Sequence, residues 1–106
     1  MALIIAFVPD LMLSSRVSGA LTAAGHDVVA GAVSSAPELP SGTELVVCDL
    51  EAVDPAVIAA LTVPSLGFYS HVDVETRRLA LEAGVDLVVP RSRMARELPD
   101  LVAGLL

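Results

Sequence analysis

Residues 45–54 read LVVCDLEAVD. Leu45, Val46, Val47 and Cys48 form an unbroken apolar run that ends on Asp49. A short continuous run with β-branched members is the pattern of a strand buried on both faces of a parallel sheet. In an open α/β sheet, groups that face a ligand collect beyond the carboxyl ends of the strands, which is where Asp49 stands. Whether that carboxylate performs chemistry or only shapes a turn depends on what surrounds it.

Outward from this stretch, four more apolar segments of strand length occur at 2–8, 27–33, 65–69 and 86–89, with the quoted run itself starting at Glu44. Helical patterns lie between them. In DLMLSSRVSGALTAAGHD, residues 10–27, the side chains Leu13, Val17, Leu21 and Ala24 recur at helical spacing, and Gly25 closes the helix. In HVDVETRRLALEAGVD, residues 71–86, Asp73 caps the start, Glu75, Arg77 and Arg78 mark the exposed face, and Gly84 ends it. Strand, helix, glycine, strand is the signature of parallel βαβ units with helices on both faces of a sheet. The expected fold is a single doubly wound α/β domain over residues 1–106 with five parallel strands, for which the flavodoxin-like order 2-1-3-4-5 is one of the common arrangements.

Three helices are expected to be shortened. SSAPELPSG, residues 34–42, holds two prolines and leaves a second helix vestigial or absent. The third starts at Asp54 as cap with Pro55 at its first position, and Pro64 stops it soon after. In SRMARELPDLVAGLL, residues 92–106, Pro99 predicts an irregular turn and then a short fifth helix from Leu98 or Pro99.

Composition narrows the function classes. At 106 residues the chain buries roughly 65% of its unfolded surface, enough to fold without staples. With 55% hydrophobic and 18% charged residues it is no disordered segment. The longest apolar run, 2–9, is far short of the ~20 residues of a membrane span and carries no basic residues before it, so a cytoplasmic location is expected. Cys48 is the single cysteine and sits inside an apolar run, a packing position. A net charge of −7 repels phosphate backbones, and one Tyr with two Phe and no Trp leaves no base-stacking platform, so direct nucleic-acid binding is not expected.

The strand ends bring together Pro9 and Asp10, Asp49, Tyr69 with Ser70 and His71, and Arg91. If the order is 2-1-3-4-5, strands one and three are neighbours and Asp10 and Asp49 face each other across the crevice. Two carboxylates there repel unless a divalent cation or a basic group lies between them, and Arg91 is the candidate basic group. No hydroxyl- and glycine-rich phosphate loop, no Gly-x-Gly-x-x-Gly and no Walker pattern occurs, and no Ser-His-Asp arrangement is justified by spacing. The sequence makes no independent case for an enzyme.

Over nearly its full length the chain resembles the receiver domain of bacterial response regulators. The resemblance rests on Asp10 after strand one, LVVCD ending in Asp49, VPSLGFYS as strand four, and RRLALEAGVDLVVPR as the following helix, turn and strand. It implies the flavodoxin-like strand order 2-1-3-4-5, and that Asp49 matches a phosphoacceptor served by a His kinase. It further implies that an acidic pair after strand one holds Mg²⁺, that a Thr or Ser after strand four follows the phosphoryl group, and that a Lys after strand five contacts it. This chain departs from that pattern. Pro9 replaces one acid and leaves Asp10 and Asp49 as a weak Mg²⁺ pair. Tyr69 falls on the hydroxyl position with Ser70 one place further on. Arg91 stands for the Lys, Ser92 follows it in place of Pro, and LEAVD is a reduced loop after Asp49.

Phosphoryl transfer needs metal and cationic groups to neutralise charge on the transferred oxygens, and arginine is not interchangeable with lysine. The expectation is therefore a stand-alone pseudo-receiver that works by binding another protein, a sensor kinase or a downstream regulator, with an Asp49–Arg91 salt bridge in place of a switch. The alternatives are a phosphorylatable receiver accepting phosphate on Asp49 with Mg²⁺, and a small-molecule binder at the crevice. Structural roles compete at each position: Asp49 as a turn cap, Asp10 as a helix cap, Ser70 in a capping box with Asp73, His71 as a loop residue, and His26 as a solvated turn residue. Five of the six basic residues, Arg77, Arg78, Arg91, Arg93 and Arg96, lie between positions 77 and 96. They mark either a solvated helical face or an interaction face for an acidic partner, and the high apolar content favours a homodimer.

Overall fold

The computed structural model describes residues 2–32, 34, 37–70 and 72–106. Five parallel strands, β1 (Leu3–Phe7), β2 (Asp27–Ala30), β3 (Thr43–Asp49), β4 (Ser65–Tyr69) and β5 (Leu87–Pro90), form one sheet in the order β2-β1-β3-β4-β5. Among the described residues there are four helices: α1 (Leu11–Ala23), α2 (Pro55–Ala59), α3 (Val74–Ala83) and α4 (Arg91–Leu105). The second strand is shorter than the apolar segment from which it was expected, and Val33 lies outside the described residues.

Crossovers between parallel strands are right-handed, so a helix leading towards β2 and a helix leading towards β5 lie on opposite faces of the sheet. Accordingly α1 packs with α4 on one face and α2 packs with α3 on the other. The direction of winding reverses between β1 and β3, which makes their carboxyl ends the switch point of the fold. In β3 the side chains of Leu45, Val46, Val47 and Cys48 are all fully buried and contribute alternately to the two cores. Each aliphatic side chain so buried contributes about 1.5–3 kcal/mol.

Local chemistry sets most helix ends as expected. Asp10, Asp54 and Asp73 are the N-caps of α1, α2 and α3, their carboxylates accepting from the N–H groups of Leu13, Ala56 and Thr76 at 3.0 Å each. Gly84 ends α3 at φ 103°, a left-handed conformation that any side chain would strain. No helix joins β2 to β3 among the described residues. Ala24 is the C-cap of α1 and exposed rather than part of the core stripe.

The last helix corrects the sequence reading. In place of an irregular turn and a short helix from Leu98 or Pro99, α4 runs unbroken from Arg91 to Leu105 and includes Pro99. Pro99 has no N–H to offer the carbonyl of Ala95, a defect worth about 3 kcal/mol. Burial of Met94, Leu98, Leu101 and Val102 on one helical face outweighs it. Among the described residues no helix is long and apolar enough to cross a membrane.

Candidate functional site

Asp49 is the last residue of β3, paired in register with Phe68 of β4, and only 6% exposed. Its Oδ1 accepts from the N–H of Glu51 at 3.0 Å, and its carbonyl accepts from the N–H groups of Ala52 and Val53 at 3.0 and 3.1 Å. The loop LEAVD thus folds back on the residue that precedes it, a local turn of the kind short acidic side chains favour. The turn-capping role of Asp49 is realised. Beside it, burial first and the Asp49 charge second push the Cys48 thiol up to about 12, which keeps it protonated and unreactive at neutral pH.

Arg91 is the first residue of α4, which follows Pro90 of β5 with no connecting loop. The expected Asp49–Arg91 salt bridge is not formed. Arg91 Nη2 instead lies 3.4 Å from Glu51 Oε2, while Glu51 Oε1 accepts from the N–H of Ser70 at 3.2 Å. The reason is geometric: the turn at 49–53 swings Glu51 outward from the strand end, whereas the Asp49 carboxylate stays with its own loop. Arg91 Nε is buried without a hydrogen-bond partner.

Ser70 follows the end of β4, where Tyr69 is buried and paired in register with Pro90. The capping box expected between Ser70 and Asp73 is absent; Asp73 itself caps α3, and the Ser70 carbonyl accepts the Asp73 N–H at 2.8 Å in a preceding turn. His71 lies outside the described residues. His26 is not merely solvated, because its Nδ1 accepts the N–H of Ala2 at 3.1 Å.

Three acidic or other metal-ligating side chains do not assemble here among the described residues. Asp10 Oδ1 is engaged as the α1 cap, Pro9 offers no side-chain oxygen, and no cluster of three or more His, Cys, Asp or Glu side chains exists among the described residues. Mg²⁺ held by Asp10 and Asp49 would keep most of its waters, since no third carboxylate joins them.

Arg16 of α1, with Ser70, Arg91, Ser92, Leu13 and Ala95, lines a cavity of 370 Å³ between α1 and the start of α4. Sequence reasoning missed Arg16 and Glu51. Arg16 is the one basic residue outside positions 77–96, and Glu51 is the one acidic residue inside the loop between Asp49 and Asp54, which are the signals that could have found them.

The other arginines flank β5 from opposite faces of the sheet, with Arg77 and Arg78 on α3 and Arg93 and Arg96 on α4. Arg78 pairs with Glu75 and with Glu82, Arg93 with Glu97 at 3.4 Å, and Arg96 with Glu97 at 4.0 Å. The two carboxylates, Glu75 foremost, raise the Arg78 pKa.

No family model matches the sequence, and no curated protein matches it. Solved structures do. A receiver domain of HemR from Leptospira biflexa, in non-phosphorylated form, superposes with a TM-score of 0.76 at 18% identity over 99% of this chain and 94% of its own. A response regulator CheY-like protein from Mesorhizobium loti gives 0.74 at 18% identity over 99% and 98%. A response regulator from Thermotoga maritima gives 0.73 at 13% identity over 99% and 97%. The chain therefore has the receiver fold, a five-stranded flavodoxin-like α/β domain. Its particular form of that fold lacks a helix between β2 and β3 among the described residues and keeps only five residues in α2.

Proposed function

We propose that this protein is a receiver-like regulatory domain that acts by binding another protein and does not transfer phosphoryl groups efficiently. One observation carries this reading: the crevice's cationic group, Arg91, is directed to Glu51, while the Asp49 carboxylate is folded into its own turn. Charge stabilisation at Asp49 would then lack both its metal and its cation. The partner is a signalling protein, a sensor kinase or downstream regulator, located with it in the cytoplasm. Its docking face is the β5 edge, where Arg77, Arg78, Arg91, Arg93 and Arg96 lie and where an acidic surface would exchange with the glutamates that pair with the last four. Association with a second copy through the same face is the competing mode.

A second reading has its own support. Asp49 stands intact at the end of the central strand, where a phosphorylatable receiver accepting phosphate with Mg²⁺ needs it. The cavity beside Arg91 gives a small-molecule binder a place but no defined ligand. Titration with Mg²⁺ and then beryllofluoride, followed by amide NMR, separates them. The expected result is a flat response at Asp10, Asp49 and Arg91. Saturable, Mg²⁺-dependent shifts lost in Asp49→Asn would establish the working switch instead.

A further inference from the structure

We infer that copies of this protein associate head to tail, the α3 stripe of one copy docking on the β2 side of the next. The inference goes beyond the reading above, since neither patch includes Asp49, Ser70 or Arg91, and its failure would leave that reading standing.

The donor patch is on α3, which packs against β4 and β5. Val74, Arg77 and Leu81 are exposed at i, i+3 and i+7, so two apolar side chains flank a cation along one stripe. Arg78 adjoins the stripe but is held by Glu75 and Glu82, whereas Arg77 has no ion pair among the described residues. A two-fold contact of this stripe with itself would bring the cations of both copies together, and like charges so placed repel. The stripe therefore fits a different surface, apolar and acidic.

That surface lies at the opposite edge of the sheet, where β2 is the outer strand. Val28 packs against the core under α1 and α4, so by strand alternation Asp27 and Val29 point to the other face. The β2–β3 connection supplies no helix to cover that face among the described residues. It leaves Val29 exposed in the wall of a 280 Å³ cavity, with Ile5, Phe7, Pro37 and Glu38. Glu44 shares this face with Val46 two residues on. Asp27, Glu38 and Glu44 are exposed, and among the described residues none of them forms an ion pair. Residues 1–54, which build β1, β2 and β3, hold seven acidic residues and only Arg16 as a basic one. The β2 side thus offers an apolar recess for Val74 or Leu81 and carboxylates for Arg77. Because donor and acceptor differ, each copy engaged on one side still presents the other patch, and the contact repeats into a ring or filament.

Sedimentation equilibrium of the full chain tests this. The mean mass of the native chain should rise as concentration approaches about 1 mM. It should fall as salt is raised from about 0.1 to about 1 M, which shortens the Debye length from about 10 to about 3 Å. Reversing the acceptor with Glu38→Arg and Glu44→Arg should weaken association at least about tenfold, and Arg77→Glu should do the same. An equal mixture of the two reversed chains, each the charge complement of the other, should associate again. Circular dichroism reports whether each variant folds. If the acceptor variant does not fold, Arg77→Ala decides, because it weakens this contact and strengthens a like-with-like one by relieving repulsion. A native chain that stays monomeric at about 1 mM overturns the inference. So does association that persists in the folded acceptor variant, or a mixture that fails to associate.

Discussion

The two faces of the sheet are built differently. On one, α1 and α4 bury Val17, Leu21, Met94, Leu98, Leu101 and Val102 against the strands. On the other, α2 and α3 bury only Ile58 and Ala80, and residues of the β2–β3 connection such as Leu39 pack against the remainder. A cavity of 280 Å³ lined by Ile5, Phe7, Val29, Gly31, Pro37 and Pro40 lies beside that connection. One face thus supplies helix-borne core and the other relies on loops and on the sheet's own side chains. The fold tolerates this asymmetry because the central strands are apolar on both sides and already bury one another's neighbours.

The largest expected effect tests the strong face. Leu21→Ala or Leu98→Ala should lower stability by about 3 kcal/mol in urea unfolding, whereas Leu39→Ala on the loop-covered face should lower it by about 1 kcal/mol. Equal losses would break the comparison. Next comes Gly67→Ala in β4, whose added Cβ would stand 2.7 Å from the Leu50 side chain, part of the weaker face. The expected loss is about 2 kcal/mol. Leu50→Ala in the same chain should recover part of it, and if the two losses simply add, the close approach is not the cause.

Smaller effects sharpen the comparison at the crevice. Arg91 and Glu51 are 42% and 32% exposed, so Arg91→Ala should change stability by under about 1 kcal/mol. A larger loss in thermal unfolding would show that the pair, and not helix burial, anchors the start of α4. The smallest effect is titration of the α3 cap. Thr76, through its hydroxyl first and its N–H second, holds the Asp73 carboxyl below its ordinary value of 3.8. A depressed folded-state pKa makes the cap's contribution complete above that ordinary value and lost as pH falls through the folded one. The Thr76 amide should therefore keep its NMR shift from neutral pH to near 3.8 and move only below it. Movement between pH 5 and 7 would contradict the cap.

The strands and the caps of α1, α2 and α3 were legible because they depend on local pattern: short apolar runs, an aspartate before each helix, Pro55 and Gly84 at defined places, while the strand order came from the resemblance to receivers. The α4 boundary was not, since Pro99 read alone argues for a break and only the tertiary burial of Met94, Leu98, Leu101 and Val102 decides otherwise. Within the site, the roles of Asp49 and Asp10 as caps are local and could be anticipated. The Glu51 contacts span 19 and 40 residues and emerge only when the β3 turn, the β4 end and the α4 start meet.

The absence of a helix between β2 and β3 among the described residues also tells a protein engineer where to cut. Pro90 passes directly into α4, so that junction has no slack for added residues. The connection at 31–42 instead links two strands separated by β1 without supplying a helix among the described residues. Its exposed end at Ser41, rather than Leu39, which packs on the core, is the position for an inserted affinity tag or reporter peptide.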